Sequence, residues 1–477
     1  MLLRPSAYLN FFIILSALLI PTSNADALRE LWSADLRDSG SRFRIFDPNG
    51  DIIKISLGPT SATHFIEKLD GKTGASKWKQ VANYNLPGFT SLNTDHRGNL
   101  LIGTGTSTNL NASQAVARKI SGQTGHLLWE RAWTNAPYIP YIFSDTNGNI
   151  AVQLGLTIAK VSSDGTELWQ KHLGPVTTPA VIGIAENGDV GRISHLDKTI
   201  RVVKFRAHDG AIILDRESTV TNEIAYFNDL AVANDGSIAF TATGFPPGGP
   251  TMFSGKVSAD GDHSWIHWYF NPLVHSDGRS LLCLADGDVV AIGRGGPHIP
   301  VVRYDSTTGR IKWDTVIAPP PDPLNYSEHT QGISVTPAGH VLLSTFRNDG
   351  LVTIYELDSA DGRIRWSVPV DFYYLTIDVL HASRSLAIIG TTKPHSFEQP
   401  ETFTTLRHFT FGPELTTRPF PNHLEISWEP ENLGSTLQHS TNNSAPFNWQ
   451  AVEGSTTTNL LRLPKTEAAA VFRLVRQ

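Results

Sequence analysis

Short apolar runs separated by compact polar turns fill most of this chain. Runs such as Val289-Val290-Ala291-Ile292-Gly293 and Val341-Leu342-Leu343-Ser344 read as buried strands. A turn rich in Asp, Asn and Gly stands ahead of each run. The copies are Asp47-Pro48-Asn49-Gly50-Asp51, Asp95-His96-Arg97-Gly98-Asn99, Asp145-Thr146-Asn147-Gly148-Asn149 and Glu186-Asn187-Gly188-Asp189. They continue as Asn234-Asp235-Gly236-Ser237, Ala285-Asp286-Gly287-Asp288 and Pro337-Ala338-Gly339-His340.

A second family of turns interleaves with the first, and its fullest copy is Tyr304-Asp305-Ser306-Thr307-Thr308-Gly309-Arg310-Ile311-Lys312-Trp313. Other copies end in Trp78, Trp129, Trp169, Trp265 and Trp366, while the copy at His208-Asp209-Gly210 has Leu214 where the indole should be. The glycines at 74, 125, 165, 210, 261, 309 and 362 are separated by 51, 40, 45, 51, 48 and 53 residues. That spacing matches one four-stranded propeller blade. Two alternating turn families mean two hairpins per blade. Glycine supplies the positive φ that a tight turn needs, and a Trp four residues later can bury its flat side chain against the neighbouring blade.

These blades resemble the PQQ-like, or quinoprotein-type, β-propeller repeats with their DxxTGxxxW element, over residues 28–411. The expected fold is all-β: an eight-bladed β-propeller, with seven blades as the alternative. Leu31-Trp32-Ser33 looks like the strand that elsewhere follows a repeat turn, yet no turn precedes it. Phe403 to Phe409 supplies a late strand with no Trp strand after it. Closure of the ring by the N-terminal strand accounts for both and removes two exposed sheet edges. Residues 412–477 lack the repeat turn and alternate in strand fashion. Their I-S-W, L-Q-x-S, W-x-x-V and F-R-L pieces resemble a small C-terminal β-sandwich module of exported Verrucomicrobia-type proteins.

The first 25 residues read as a signal peptide: Arg4, an apolar stretch from Phe11 to Ile20 closed by Pro21, and small residues around Ala25. Export to the periplasm or the extracellular space is expected, with no transmembrane span after cleavage. A net charge of −6 gives no electrostatic footprint for nucleic acid. The single cysteine, Cys283, excludes an internal disulfide and any CxxC site, and its apolar strand marks it as a buried, inert thiol.

Candidate chemistry sits in segments at the end of the blades opposite the glycine turns. They hold Tyr138, Tyr141, Arg192, His195, Arg294, His298, Tyr326, His329, Arg347 and Tyr373, a composition suited to a sugar, peptide or anion. The expected function is non-catalytic binding or scaffolding of a protein or glycan partner. A polysaccharide lyase using His298, Tyr326, His329 and Arg347 is the alternative. The quinoprotein resemblance also raises PQQ-dependent dehydrogenation, but the adjacent cysteine pair often found in those enzymes is impossible here. No cofactor is expected. Asp47 to Asp51 and Asp145 to Asn149 resemble the start of a calcium loop, yet they lack its closing Glu, and Asx turns explain the same residues.

Overall fold

Every regular element described in the computed structural model is a β-strand. The described residues are 28–35, 41–57, 64–82, 90–107, 113–134, 136, 141–173, 180–247, 249–270, 277–294, 298–317, 329–336, 339–346, 351–380, 385–391, 405–411, 415–419, 423–428, 436–440, 450–452, 460–464 and 471–475. They divide into a larger unit, Glu30–Thr410, and a smaller one, Met1–Arg29 with Phe411–Gln477.

The larger unit opens within β1 (Leu28–Asp35) and continues through six four-stranded antiparallel sheets. The first holds β2 (Ser41–Phe46), β3 (Ile52–Leu57), β4 (His64–Leu69) and β5 (Ser76–Ala82). The second holds β6 (Thr90–Thr94), β7 (Leu100–Ser107), β8 (Ser113–Ile120) and β9 (Leu127–Thr134). In the third are β10 (Ile142–Ser144), β11 (Ile150–Leu154), β12 (Thr157–Val161) and β13 (Glu167–His172). The fourth has β14 (Val181–Ile184), β15 (Val190–Leu196), β16 (Thr199–Phe205) and β17 (Ile212–Thr219). The fifth has β18 (Glu223–Val232), β19 (Ile238–Phe245), β20 (Thr251–Val257) and β21 (Ser264–Trp268). The sixth has β22 (Asp277–Cys283), β23 (Val289–Arg294), β24 (Ile299–Tyr304) and β25 (Ile311–Ile317).

A seven-stranded sheet follows, made of β26 (His329–Val335), β27 (Val341–Phe346), β28 (Leu351–Leu357), β29 (Ile364–Leu380), β30 (Ser385–Thr391) and β31 (Thr405–Phe411), with β1 added beside β31. The pairing expected between the head of the chain and its last repeat strand is therefore present. The smaller unit contains two three-stranded sheets. One joins β32 (Leu415–Pro419), β33 (His423–Trp428) and β36 (Leu460–Pro464); the other joins β34 (Thr436–Ser440), β35 (Gln450–Ala451) and β37 (Val471–Val475).

The core of the larger unit lies in the seams between sheets. β11 is buried at all its positions because both of its faces meet a neighbouring sheet, whereas the outer strand β13 alternates between exposed and buried. Ile53 and Ile55 of the first sheet pack with Leu100 and Ile102 of the second, and Ala151 of the third packs with Ile182 and Val190 of the fourth. The repeat tryptophans complete these clusters at their outer edge: Trp78, Trp129, Trp169, Trp265 and Trp313 each join a cluster that crosses a seam. Each indole N–H donates to a turn carbonyl of the following sheet. The acceptors are Gly122 at 3.1 Å, Ser163 at 3.1 Å, Ala207 at 2.9 Å, Ser306 at 3.2 Å and Ser359 at 2.9 Å.

Glycine is required in these turns for two separable reasons. Gly362 has φ of 72°, and a Cβ there would lie 2.5 Å from Cε3 of Trp313 in the preceding sheet. Gly339 has φ of 85° but nothing within 4 Å of the same atom. Gly339→Ala is therefore expected to destabilise the chain by about 1 kcal/mol through backbone strain alone. Gly362→Ala adds the collision with the indole and should destabilise by about 2–4 kcal/mol. Urea denaturation of the two variants checks the difference, and equal losses would refute the seat on the indole.

Candidate functional site

The two turn families lie together at one end of the sheets, where repeating bonds engage their side chains. The last residue of an inner turn accepts an N–H from the outer turn of the same sheet: Asp51 from Gly71 at 3.1 Å, Asn99 from Gly122 at 3.1 Å, Asn149 from Ser163 at 3.2 Å, Asp189 from Ala207 at 2.9 Å and Asp288 from Ser306 at 2.9 Å. Beneath them runs a row of buried cations on the third strands, a feature the sequence reading did not single out. Lys68 pairs with Asp47 at 2.6 Å, Lys119 with Asp95 at 2.9 Å, Lys160 with Asp145 at 3.0 Å and Arg303 with Asp288 at 2.7 Å. Lys68, Lys160, Lys204 and Lys256 also donate to turn carbonyls of the next sheet, at 3.0, 2.9, 2.9 and 2.7 Å. Burial pulls the Lys160 ammonium below its ordinary pKa, against the opposing pull of Asp145.

This row bears on the calcium possibility. The Asp47 carboxylate receives the N–H groups of Asn49 and Asp51 as well as Lys68, and Asp145 receives those of Asn147 and Asn149 as well as Lys160. Each carboxylate is thus engaged by a lysine ammonium and by the N–H groups of an Asx turn. Among the described residues, no group of three or more His, Cys, Asp or Glu side chains is arranged to hold a metal.

The residues expected to form a binding face are only partly brought together. Tyr138, Tyr326 and Arg347 lie outside the described residues, so the grouping of His298, Tyr326, His329 and Arg347 also does. His329 opens β26, and Tyr373 lies in β29 opposite Thr391. Arg294 ends β23 opposite Asp277, while His298 stands just before β24, and both are half-buried. Tyr141 precedes β10, stacks on Phe143 at 6.2 Å and packs against the clusters on either side of the fourth sheet.

Arg192 and His195 require a correction. They do not lie in a connecting segment: both are within β15, which turns into β16 through Asp197 and Lys198 alone. Arg192 is 2% exposed and His195 is 2% exposed, on opposite faces of that strand because side chains alternate along it. His195 meets the edge of Phe227 in the fifth sheet at 5.7 Å, and its Nδ1 lies 3.3 Å from the carbonyl of Asp197, which holds φ at 52°. Burial depresses the His195 pKa, so the ring is neutral at pH 7. The polar Arg-Ile-Ser-His stretch lacks the apolar run of a buried strand, yet its backbone pairs in register with β14 and β16.

Several other groups were not visible in the motifs. On β18, Asn228 donates to Thr243 at 3.1 Å, and the Tyr226 hydroxyl donates to Asp277 of β22 at 3.4 Å. Asp229 accepts the N–H of Leu230 at 2.9 Å and of Leu281 at 3.0 Å, so one carboxyl group ties the first strands of the fifth and sixth sheets. Burial pushes the Asp229 carboxyl up to about 6, outweighing these two bonds and the attraction of Arg279. Burial also pushes the Cys283 thiol up to about 11, which keeps it protonated and inert. His267 is half-buried beside Tyr304, with the ring centroids 5.5 Å apart.

With this geometry in place, the fold can be compared with known structures. The chain is similar to the Dos1 propeller, with a TM-score of 0.52 at 11% identity, covering 81% of this chain and 96% of that one. Virginiamycin B lyase from Staphylococcus aureus gives a TM-score of 0.43 at 12% identity, covering 80% of this chain and 99% of that one. PorZ, a surface component of the type-IX secretion system of Porphyromonas gingivalis, gives 0.42 at 12% identity, covering 91% of this chain and 68% of that one. No family profile matches the chain, and no curated protein matches it in sequence. The first likeness establishes the fold: the chain is an all-β protein built on a β-propeller. Among the described residues, no helix is long and apolar enough to cross a membrane.

The Asp229 carboxyl gives this site a pH signature. Its folded pKa lies above the ordinary value of about 3.9, so its contribution is full below pH 4 and is lost as pH rises through about 6. The stability of the natural chain relative to Asp229→Asn should therefore fall by about 1–3 kcal/mol between pH 4 and pH 7. Urea melts of both proteins across that range measure it, and a difference that stays flat would remove the assignment.

Proposed function

We propose that this chain is an exported, non-catalytic β-propeller of the PQQ-like type that binds a protein or glycan partner. The partner is held by segments at the end of the sheets opposite the glycine turns. One observation carries the reading: turn-end side chains are engaged by bonds that repeat from sheet to sheet, whereas at the opposite end the described hairpins differ in sequence or length. There β11 and β12 are joined by Gly155 and Leu156, β15 and β16 by Asp197 and Lys198, and β19 and β20 by the longer Pro246 to Pro250 segment. A rigid frame carrying unlike loops suits recognition.

The blade count belongs to the same proposal. Six four-stranded sheets make six blades, and the seven-stranded sheet is read as two more that share the long strand β29. One is β26 to β29; the other is the second half of β29 with β30, β31 and β1. The smaller unit is read as an accessory module of exported proteins.

The test offers the purified full chain to an array of neutral and acidic polysaccharides and to envelope proteins under crosslinking. In one variant Pro246 to Pro250 is replaced by Asn-Gly; in a second, Thr307→Ala alters the turn end. Binding should weaken about tenfold or more in the first and stay unchanged in the second, with melting temperatures within about 2 °C of the natural chain. Loss of binding in the second variant alone, or turnover of a polysaccharide that His298→Ala abolishes, would overturn the proposal.

A further inference from the structure

The sheets of the larger unit are internal copies of one another, so each position has its own controls. The fourth residue after the inner-turn glycine is Lys54, Ile102, Val152, Arg192, Phe240, Ala291 and Leu343 in successive copies, and all seven are buried. Their cross-strand partners are Glu67, Arg118, Ala159, Val203, Gly255, Val302 and Tyr355. Where this pair carries a cation, a carboxylate answers it in two of three cases. Lys54 meets Glu67 at 2.8 Å, and Arg118 meets Glu130 at 2.6 Å and the Thr104 hydroxyl at 3.2 Å. Arg192 stands between Ile182 and Val203, with valine where the first sheet has glutamate.

Arg192 makes no ion pair among the described residues, and its Nη2 has no hydrogen-bond partner. The charge acting on it is another cation, Arg201, which is itself held by Asp215 at 2.6 and 2.8 Å. Desolvation and that repulsion bring the Arg192 guanidinium down to about 10. An uncompensated buried cation is strongly unfavourable.

The facing sheet holds a second unmatched group. Ala151 and Val190 pack in one cluster across the seam between the third and fourth sheets. Two residues further along the same faces, toward the same end, come Gln153 on β11 and Arg192 on β15. The Gln153 amide nitrogen donates to the carbonyls of Ala180 at 2.8 Å and Gly155 at 3.2 Å, which fixes the amide's orientation. Its Oε1 is buried and receives no donor. One seam therefore presents a cationic donor lacking an acceptor and an acceptor lacking a donor.

We propose that this seam binds a small oxyanion that also carries a hydroxyl, the chemistry shared by hydrogen phosphate and α-hydroxy carboxylates. The charged oxygens accept from Arg192, and the hydroxyl donates to Gln153 Oε1. The site lies within the frame itself and is independent of the partner-binding loops, so either proposal can fail without the other.

The test is calorimetric melting of the full chain at pH 7 in sodium phosphate, sodium lactate, sodium sulfate and sodium chloride at matched ionic strength. Phosphate or lactate should raise the melting temperature about 2–4 °C above chloride, and above sulfate, which carries no proton at this pH. Two variants remove the need for the anion: Arg192→Met deletes the charge, and Val203→Glu supplies the missing carboxylate from the neighbouring strand. Both should melt above the natural chain in chloride and lose the phosphate and lactate increments. The proposal is overturned if the natural chain shows no increment, if sulfate equals phosphate, or if either folded variant keeps the natural response.

Discussion

The larger unit depends on how one sheet is fastened to the next. An indole on the outer strand reaches under the following turn, donates its N–H to a turn carbonyl there, and is covered by that turn's glycine. A planar side chain with one donor and a large apolar face serves hydrogen bonding and burial together. The substitution at Leu214 separates these roles. Its side chain still fills the seat below Gly261, while Arg216 donates to the Gly261 carbonyl at 3.0 Å. The bond from Arg216 matches those that Arg131 and Thr315 make to Gly165 and Gly362 beside their tryptophans, so this seam keeps the apolar cover and the second bond without an indole N–H.

Beneath the indoles, buried cations form a second fastening, and their partners shift with the turn sequence. Where the inner turn opens with Asp47, Asp95 or Asp145, that carboxylate takes the lysine. Where it opens with Ala185 or Leu284, the paired acid is Asp189 or Asp288 at the far side of the same turn. The cation keeps its place while the acid moves, consistent with the cost of leaving a buried charge unanswered. Arg192 lies outside this row, on the second strand of its sheet, and there no acid answers it.

Much of the architecture could be read from the chain because it is written several times over. A turn glycine and an indole repeated at similar intervals leave little freedom of interpretation, and Trp32 without a preceding turn pointed to closure at the chain ends. The lysine row is equally periodic, from Lys68 to Lys256, yet a charged residue beside a turn reads as a surface residue. Binding chemistry was harder to place. Arg192 and His195 occur once each, and only the register of β15 against β14 and β16 reveals that they are strand residues on opposite faces. Asp229 gave no motif at all; its partner Leu281 lies 52 residues away.

β1, the earliest strand of the larger unit to be synthesised, finds its place beside β31, the last of the unit's strands. The final sheet thus stays incomplete until nearly the whole polypeptide has emerged, and one outer edge waits unpaired in the meantime. Contacts of such long sequence separation form slowly. Assembly is therefore gated by its latest event, with the intermediate sheets able to stack in order of appearance while the two ends of the unit have yet to meet.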